Sequence, residues 1–419
     1  MWRLLDNTVE LQELEVKGVT AKINRTLPDS TFNFDYIVNA FASPETQPKQ
    51  EETESTMVFD LDKVLFERIR FVYDDQVIGT NADLNLQHFS TNIKKFDLTG
   101  DMAFAMSAIN LDGVQAKVRP WAVAESTDAT SATDFGIETA DTTATAAMPA
   151  LDIKTINLSN IHIKYDDEAS GMDTKFDLRK LIANIEEMDL NKEIVRIKDV
   201  TLEESDSYVL FGQVDAPAPA AAVQDTSTAE AQPMNWVVSL GKLNVEKTNF
   251  WFKDENQPRT KGLDFFNMRL SNFETDLQDL YYSADSISGS LKNLTVKDHS
   301  GFFLKQVKAD FAYHNTGALI ENLYVETSKS LIRDYVKVSY PSLDALSEDL
   351  SKVQIEANIK KSHIDMSDLR FLAPDLEKEE SMKPLLAQKF YIDGRVHGYV
   401  NDLYIPNFEF KTLDNTHML

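Results

Sequence analysis

The sequence predicts an all-β protein built by repetition of antiparallel meanders, elongated rather than compact. Three observations carry that prediction. One seventeen-residue pattern recurs without gaps, apolar residues alternate inside it with a period of two, and the stretches between copies are nearly empty of large apolar side chains. Repetition of a strand-rich unit makes an extended surface more readily than a closed pocket.

The pattern reads FDLDKVLFERIRFVYDD at 59–75, LDIKTINLSNIHIKYDD at 151–167 and VSLGKLNVEKTNFWFKD at 238–254, with a weaker copy, VELQELEVKGVTAKINR, at 9–25. Its third, sixth, eighth, eleventh, thirteenth and fifteenth places are apolar, Thr248 excepted. Ile156 and Leu158, then Ile161, Ile163 and Tyr165, alternate with polar residues, which marks a half-buried strand. Between Leu158 and Ile161 the step is three. One extra residue at the same place in each copy predicts a β-bulge that keeps the apolar face together. The endings YDD, YDD and FKD put Asp where the chain should turn.

The repeat continues beyond its first strand. DLNLQHFSTNIKKFDL at 83–98 aligns with KFDLRKLIANIEEMDL at 175–190, matching Leu84 to Phe176, Leu86 to Leu178, Phe89 to Leu181, Ile93 to Ile185 and Phe96 to Met188. Each module is expected to be a meander of antiparallel strands about ten residues apart. Three stretches rich in Ala, Thr, Ser, Pro and acids separate the modules, at 42–56, 122–149 and 213–233. They cannot bury enough surface to offset chain ordering, so disordered loops are expected there. The predicted array is a partial repeat at 1–41, repeats at 57–121 and 150–212, and a repeat plus a C-terminal β region at 234–419.

The C-terminal third also alternates, at 293–298, 301–314 and 319–332. A short helix is expected at 342–350, with Ser342 as cap and Leu343, Leu346 and Leu350 on one face. A shorter one is expected at 367–372, stopped by Pro374. With only 14 Gly in 419 residues, most turns must use Asn and Asp.

Composition narrows the function. Hydrophobic residues make up 42% and aromatics 10%, with 24 Phe and 13 Tyr, enough for a core and favourable to strands. Mean hydropathy is −0.32, which argues against a membrane-spanning or a disordered chain. The net charge of −26 repels phosphate backbones and anionic headgroups at long range, which sets nucleic acid aside as a partner. Absence of Cys excludes disulfides and thiolate metal sites. The N-terminus has no signal peptide or spanning segment and enters the repeat abruptly, so a piece of a longer chain is expected.

No catalytic or metal motif emerges, and no cofactor is expected: there is no phosphate-binding Gly loop, HExxH or GxSxG. The seven His residues do not pair at ligand spacing, and His162 falls on a polar strand face. Asp74–Asp75 and Asp166–Asp167 supply too few ligands for Ca²⁺ and read as turn residues. The stripe Phe250, Trp251, Phe252 and the pair Phe302–Phe303 fit either a core sealed by a second sheet or an open trough.

The repeat LDIKTINLSNIHIKYDD, with TSKSLIRDYVKVSYPSLDAL at 327–346, IEANIKKSHIDMSDLRFLAPDL at 355–376 and FYIDGRVHGYVNDLYIPNFEFKT at 390–412, resembles the AsmA-like proteins, in particular the TamB-type translocation and assembly proteins of Bacteroidota envelopes. The resemblance implies an antiparallel sheet curled into a taco-like β-groove with an apolar interior. It implies a non-enzymatic role in the periplasm, moving phospholipid between inner and outer membranes or helping outer-membrane proteins assemble. It further implies an inner-membrane anchor in the full-length protein, outside this chain, and an outer-membrane barrel assembly protein as partner. The side chains such a groove would present to acyl chains are Phe66, Ile69, Phe71, Tyr73, Leu158, Ile161, Ile163, Tyr165, Val245, Phe250 and Phe252. Two other readings compete: a structural or adhesive β-repeat protein with a closed, dry core between sheets about 10 Å apart, and a carbohydrate-active enzyme, which would need paired carboxylates in a cleft.

Overall fold

The computed structural model describes residues 8–28, 30–41, 58–97, 103–122, 150–213, 235–343, 345–406, 408–411 and 417–418. The expected loop at 42–56 lies outside the described residues, as do 123–149 and 214–233 of the other two. Strand accounts for 69% of the structure and helix for 8%. The chain forms two compact units, one of residues 1–181, 187–192 and 209–223, the other of 182–186, 193–208 and 224–419.

In the first unit the strands are β1 (Thr8–Leu11), β2 (Leu14–Lys17), β3 (Thr20–Arg25), β4 (Val58–Leu61), β5 (Lys63–Asp75), β6 (Thr80–Asp97), β7 (Ala103–Pro120), β8 (Ala150–Ile153) and β9 (Thr155–Asp167), followed by the start of β10 (Met172–Asp189). One helix, α1 (Asp35–Phe41), follows β3. The copies at 59–75 and 151–167 fall on β4–β5 and β8–β9. At the place of the expected bulge a single residue takes the left-handed conformation, Arg68 (φ 53°) and Asn160 (φ 52°) in the tenth place of their copies, as Gly18 (φ 67°) and Lys247 (φ 49°) in theirs. The register is the same on both sides of Arg68 and Asn160, so the neighbouring strand skips a matching residue, and of these copies only that of Lys247 forms a two-against-one bulge. The strand runs through Arg68, Asn160 and Lys247 but breaks at Gly18, between β2 and β3, and strands run to 18 residues, longer than the expected ten-residue spacing.

The sheet is mixed, where antiparallel pairing throughout was expected. β5, β6 and β7 form an antiparallel meander, but β3 runs parallel to β5 and β7 runs parallel to β9. Both parallel seams join equivalent places: Ala21 pairs with Phe71 and Arg25 with Asp75, Val114 with Ile161 and Val118 with Tyr165. A parallel seam needs a crossover. The chain leaves β7 at Pro120 and re-enters beside Ala103 at Ala150, a return of about 56 Å at 3.3 Å per residue. The intervening 121–149 can reach at most about 100 Å, which is ample. The long apolar-poor segments are thus what the topology requires at each seam.

The second unit carries most of β11 (Ile194–Phe211), then β12 (Val237–Asp254), β13 (Asn267–Tyr282), β14 (Ser286–Asp298), β15 (Phe303–His314), β16 (Gly317–Thr327), β17 (Leu331–Ser339), β18 (Gln354–Asp365), β19 (Lys389–Tyr399), β20 (Asp402–Tyr404), β21 (Phe408–Lys411) and β22 (His417–Met418). From β12 to β19 each strand pairs antiparallel with the next. The alternating segment 319–332 is divided between β16 and β17 by a turn, in which Thr327 N–H bonds the Ser330 carbonyl. β11 and β12 run side by side in one direction: Val237 N–H donates to the Glu193 carbonyl at their starts, and Lys247 Nζ reaches Glu204 Oε1 further along. Glu204 (φ 55°) again supplies the left-handed residue.

The two expected helices are present in shortened form. The first is α2 (Ala345–Glu348) followed by a 3-10 turn at Leu350–Lys352, and Ala345 N–H bonds the Ser342 backbone carbonyl. The second is a 3-10 turn at Met366–Asp368 running into α3 (Leu369–Leu372), ended at Ala373 before Pro374 as expected. A further turn of helix, α4 (Lys383–Leu386), follows, with Leu386 buried. The 366–388 connection is pinned to its own unit. Asp368 accepts from the hydroxyls of Thr327 and Ser330, both at 2.6 Å, Leu263 N–H bonds the Phe371 carbonyl, and the Phe371 ring lies 5.5 Å from that of Phe302.

Candidate functional site

Register turns the alternation into rows. Across the first unit, Val16, Phe66, Phe89, Leu111 and Leu158 are successive strand-to-strand partners. The next row is Ile69, Leu86, Val114 and Ile161. After it come Ala21, Phe71, Leu84, Ala116 and Ile163, then Ile23, Tyr73, Ala82, Val118 and Tyr165. A three-residue step in each strand between the first two rows keeps all of them on one face, with a left-handed residue at that step in β5, β7 and β9. At about 4.8 Å per strand, a five-residue row spans about 19 Å of uninterrupted hydrocarbon.

This face is neither sealed nor bare. Along its middle row Val114 and Ile161 are buried, Ile161 to 3% exposure, whereas Ile163 two residues on is 38% exposed. Phe66, Ile69, Phe71, Tyr73, Leu158 and Tyr165 are half-buried. Ile161 is therefore a packing residue under its neighbours, and Ile163 is the accessible member of the same strand. In the second unit Val245 is also buried, opposite Thr275, while Phe250 and Phe252 are half-buried opposite Leu270 and Met268.

The second unit repeats the arrangement. Ile287, Tyr313, Ala318, Val338 and Ile355 form one row across β14 to β18, and Phe311, Ile320, Val336, Ala357 and Val396 form another across β15 to β19. All ten are half-buried. Gly289 closes the second row at β14, and a Cβ there would lie 2.9 Å from Cζ of the Phe311 ring. Its missing side chain lets the ring lie flat across the strand.

The aromatic stripe divides as strand alternation demands. Phe250 and Phe252 join the apolar face, while Trp251 points the other way, 6.1 Å from the Tyr208 ring and with the Arg269 guanidinium 5.5 Å above it. Phe302 and Phe303 also part company: Phe302 packs on Phe371, and Phe303 lies under Lys297 Nζ at 4.6 Å.

The opposite face is polar. Asn157 donates to Asn110 at 2.8 Å, Ser159 to Asp112 at 2.5 Å, and Arg70 Nη2 lies 2.7 Å from Asp83. His162 sits on this face as expected, with Nδ1 2.9 Å from Asp177 Oδ1.

The paired acids close turns. Asp75 Oδ1 accepts the N–H groups of Val77 and Ile78, and Asp167 Oδ1 those of Ala169 and Ser170. Asp254 and Asp298 do the same for Asn256 and Ser300. The Tyr two residues earlier leans on the turn: Tyr73 OH bonds Asp75 at 2.8 Å and Tyr165 OH lies 3.4 Å from Asp167. Burial, with the Asp75 carboxylate beside it, pushes the Tyr73 phenol up to about 12. Among the described residues no group of three or more His, Asp or Glu converges as for a metal ion, and no helix is long and apolar enough to cross a membrane.

Two strands of the face escaped the sequence reading. β7 holds the repeat at 104–120 in register with 151–167, and the Ile109-Asn110-Leu111 triplet matching Ile156-Asn157-Leu158 was the available signal. β11 holds another at 195–211. Compared with known proteins, the chain matches no family model, no curated protein and no solved structure.

Proposed function

We propose that the apolar faces of the two units hold phospholipid acyl chains, and that the protein is a non-enzymatic lipid-carrying segment of a cell envelope. One observation carries the reading: long rows of apolar side chains run unbroken across the strands of each unit, and most of their members are only half-buried. Each methylene that such a row keeps from water is worth about 0.8 kcal/mol. An acyl chain laid along a row meets a new side chain every strand, so it can advance without a step that exposes it. No nucleophile or metal is needed for that movement.

The resemblance to TamB-type proteins supports the same role and a location in the periplasm between the two membranes. In that setting the full-length protein has an inner-membrane anchor and an outer-membrane barrel assembly protein as partner. Extraction of the purified protein with organic solvent and mass spectrometry of the extract tests the reading. Phospholipid in a fixed molar ratio supports it. An extract free of lipid, from protein isolated in the presence of membranes, overturns it.

A further inference from the structure

The face of the second unit opposite the apolar rows carries a cavity of about 980 Å³ whose polar lining includes Arg333, Lys360, Lys361, Arg395, Asp334 and Asp393. In a chain with 68 acids and 42 bases, a site with four cations and two carboxylates reverses the general balance. One of the carboxylates faces a cation, since Lys360 Nζ lies 2.6 Å from Asp334 Oδ2, although that oxygen is buried without a hydrogen-bond partner. The other, Asp393, accepts the Lys361 backbone N–H at 3.2 Å.

Arg333 gives the site its direction. Its guanidinium stands over the Tyr324 ring at 5.5 Å, and its Nε is buried with no hydrogen-bond partner. A buried, always-charged donor left unmatched is costly, and a planar fork of such donors fits the oxygens of a phosphate. The nearby Glu326 carboxylate does not fill that role, being taken up by Tyr324 OH at 2.6 Å and Lys305 at 3.3 Å. Asn358, directly opposite Arg395 on the neighbouring strand, adds an amide donor to the same wall.

We propose that this cavity binds a phosphate-type anion, held by Arg333, Lys361 and Arg395. The overall charge of −26 does not forbid it, because fields from charges more than a Debye length away, about 8–10 Å, are screened at ordinary ionic strength. The site lies on the polar face and is independent of the acyl-chain reading. Its ligand is either free phosphate or a phosphate carried by a lipid headgroup.

The test is titration of the whole chain with inorganic phosphate, followed by calorimetry, alongside flotation with phosphatidylglycerol vesicles and with phosphatidylcholine vesicles. Saturable phosphate binding that weakens at least tenfold in Arg395→Gln/Lys361→Asn assigns the site to the free anion. Flotation with phosphatidylglycerol, lost in the same variant and without measurable phosphate binding, assigns it to a headgroup. Asn at 361 tolerates the left-handed backbone there (φ 44°), and circular dichroism checks that the variant is folded. Absence of both kinds of binding, or binding unchanged in the folded variant, overturns the proposal.

Discussion

Arg25 and Asp75 hold the same place in adjacent copies of the repeat, and the parallel seam sets Arg25 Nη2 2.7 Å from Asp75 Oδ2. Asp75 is fully buried, and its carboxylate also accepts from Tyr73 OH and two turn N–H groups. Equivalent places in β9 and β12 end in Asp as well, so the repeat's last residue closes a hairpin, and at the first seam it also anchors a neighbouring copy.

Acid should therefore weaken the first unit through this site. Burial alone would raise the Asp75 pKa, but Arg25, Tyr73 and the turn N–H groups outweigh it and hold the carboxyl below its ordinary value. A carboxylate depressed in the folded state adds stability above its unfolded pKa, near 3.9, and loses it as pH falls through the lower folded value. Stability of the wild type should fall steeply below about pH 4, and Asp75→Asn should be less stable at pH 7 but show a shallower acid slope. Arg25→Met should cost about 1.5–3 kcal/mol at pH 7, the range for a lost hydrogen bond to a charged group. Urea melts from pH 2 to 7 measure both, and an acid slope unchanged in Asp75→Asn would contradict the assignment.

The left-handed residue at the tenth place predicts an asymmetric pair of substitutions. Arg68 (φ 53°) carries a Cβ where glycine is preferred, so Arg68→Gly should stabilise by about 1 kcal/mol. Gly113 (φ 67°) faces the opposite problem, since a Cβ there would lie 2.6 Å from Gln87 Cγ. Gly113→Val should lower the melting temperature clearly. Equal effects of the same sign would show that the left-handed conformation does not persist in solution.

Thr91 sits within the apolar face, opposite Val64 and Ile109, buried to 4% exposure with its hydroxyl unpartnered. Replacing an unsatisfied buried hydroxyl by a methyl of the same shape removes a desolvation penalty of about 1–3 kcal/mol. Thr91→Val should raise the midpoint of thermal unfolding. A fall would indicate that the hydroxyl has a partner in solution.

Much of this was readable from residues. Alternation gave the strands, the step from Leu158 to Ile161 gave the skipped residue Asn160, and YDD gave the turns, since each is a local constraint written by one or two side chains. Strand direction was not readable. A period of two reports which face a side chain occupies and is the same in parallel and antiparallel pairing, so the seams between β3 and β5 and between β7 and β9 had no signature. β7 was missed because it lacks the closing Asp, with Pro120 in the last place, and carries Ala116 where the three strongest copies carry Phe71, Ile163 and Phe250. The division of the face into packed and accessible residues depends on cross-strand neighbours, which no single strand contains. That is why Ile161 and Ile163 looked alike in the sequence.

Ile161 and Ile163 then give the sharpest test of the apolar face, because they share a strand, a face and a side chain but not an environment. Ile161→Ala removes buried methyl groups from between Val114 and its neighbours and should cost about 2–4 kcal/mol. Ile163→Ala removes a side chain already 38% exposed and should cost under about 1 kcal/mol. Carried to Asp, the accessible position should keep its fold, since a carboxylate there can reach water, while placing a charge in the row formed with Ala116, Leu84 and Phe71. Phe71→Asp charges the same row three strands away. If acyl chains occupy that row, both variants should copurify with several-fold less phospholipid than wild type at unchanged far-ultraviolet circular dichroism. A folded Ile163→Asp protein with undiminished lipid would mean that this row is not where lipid is held.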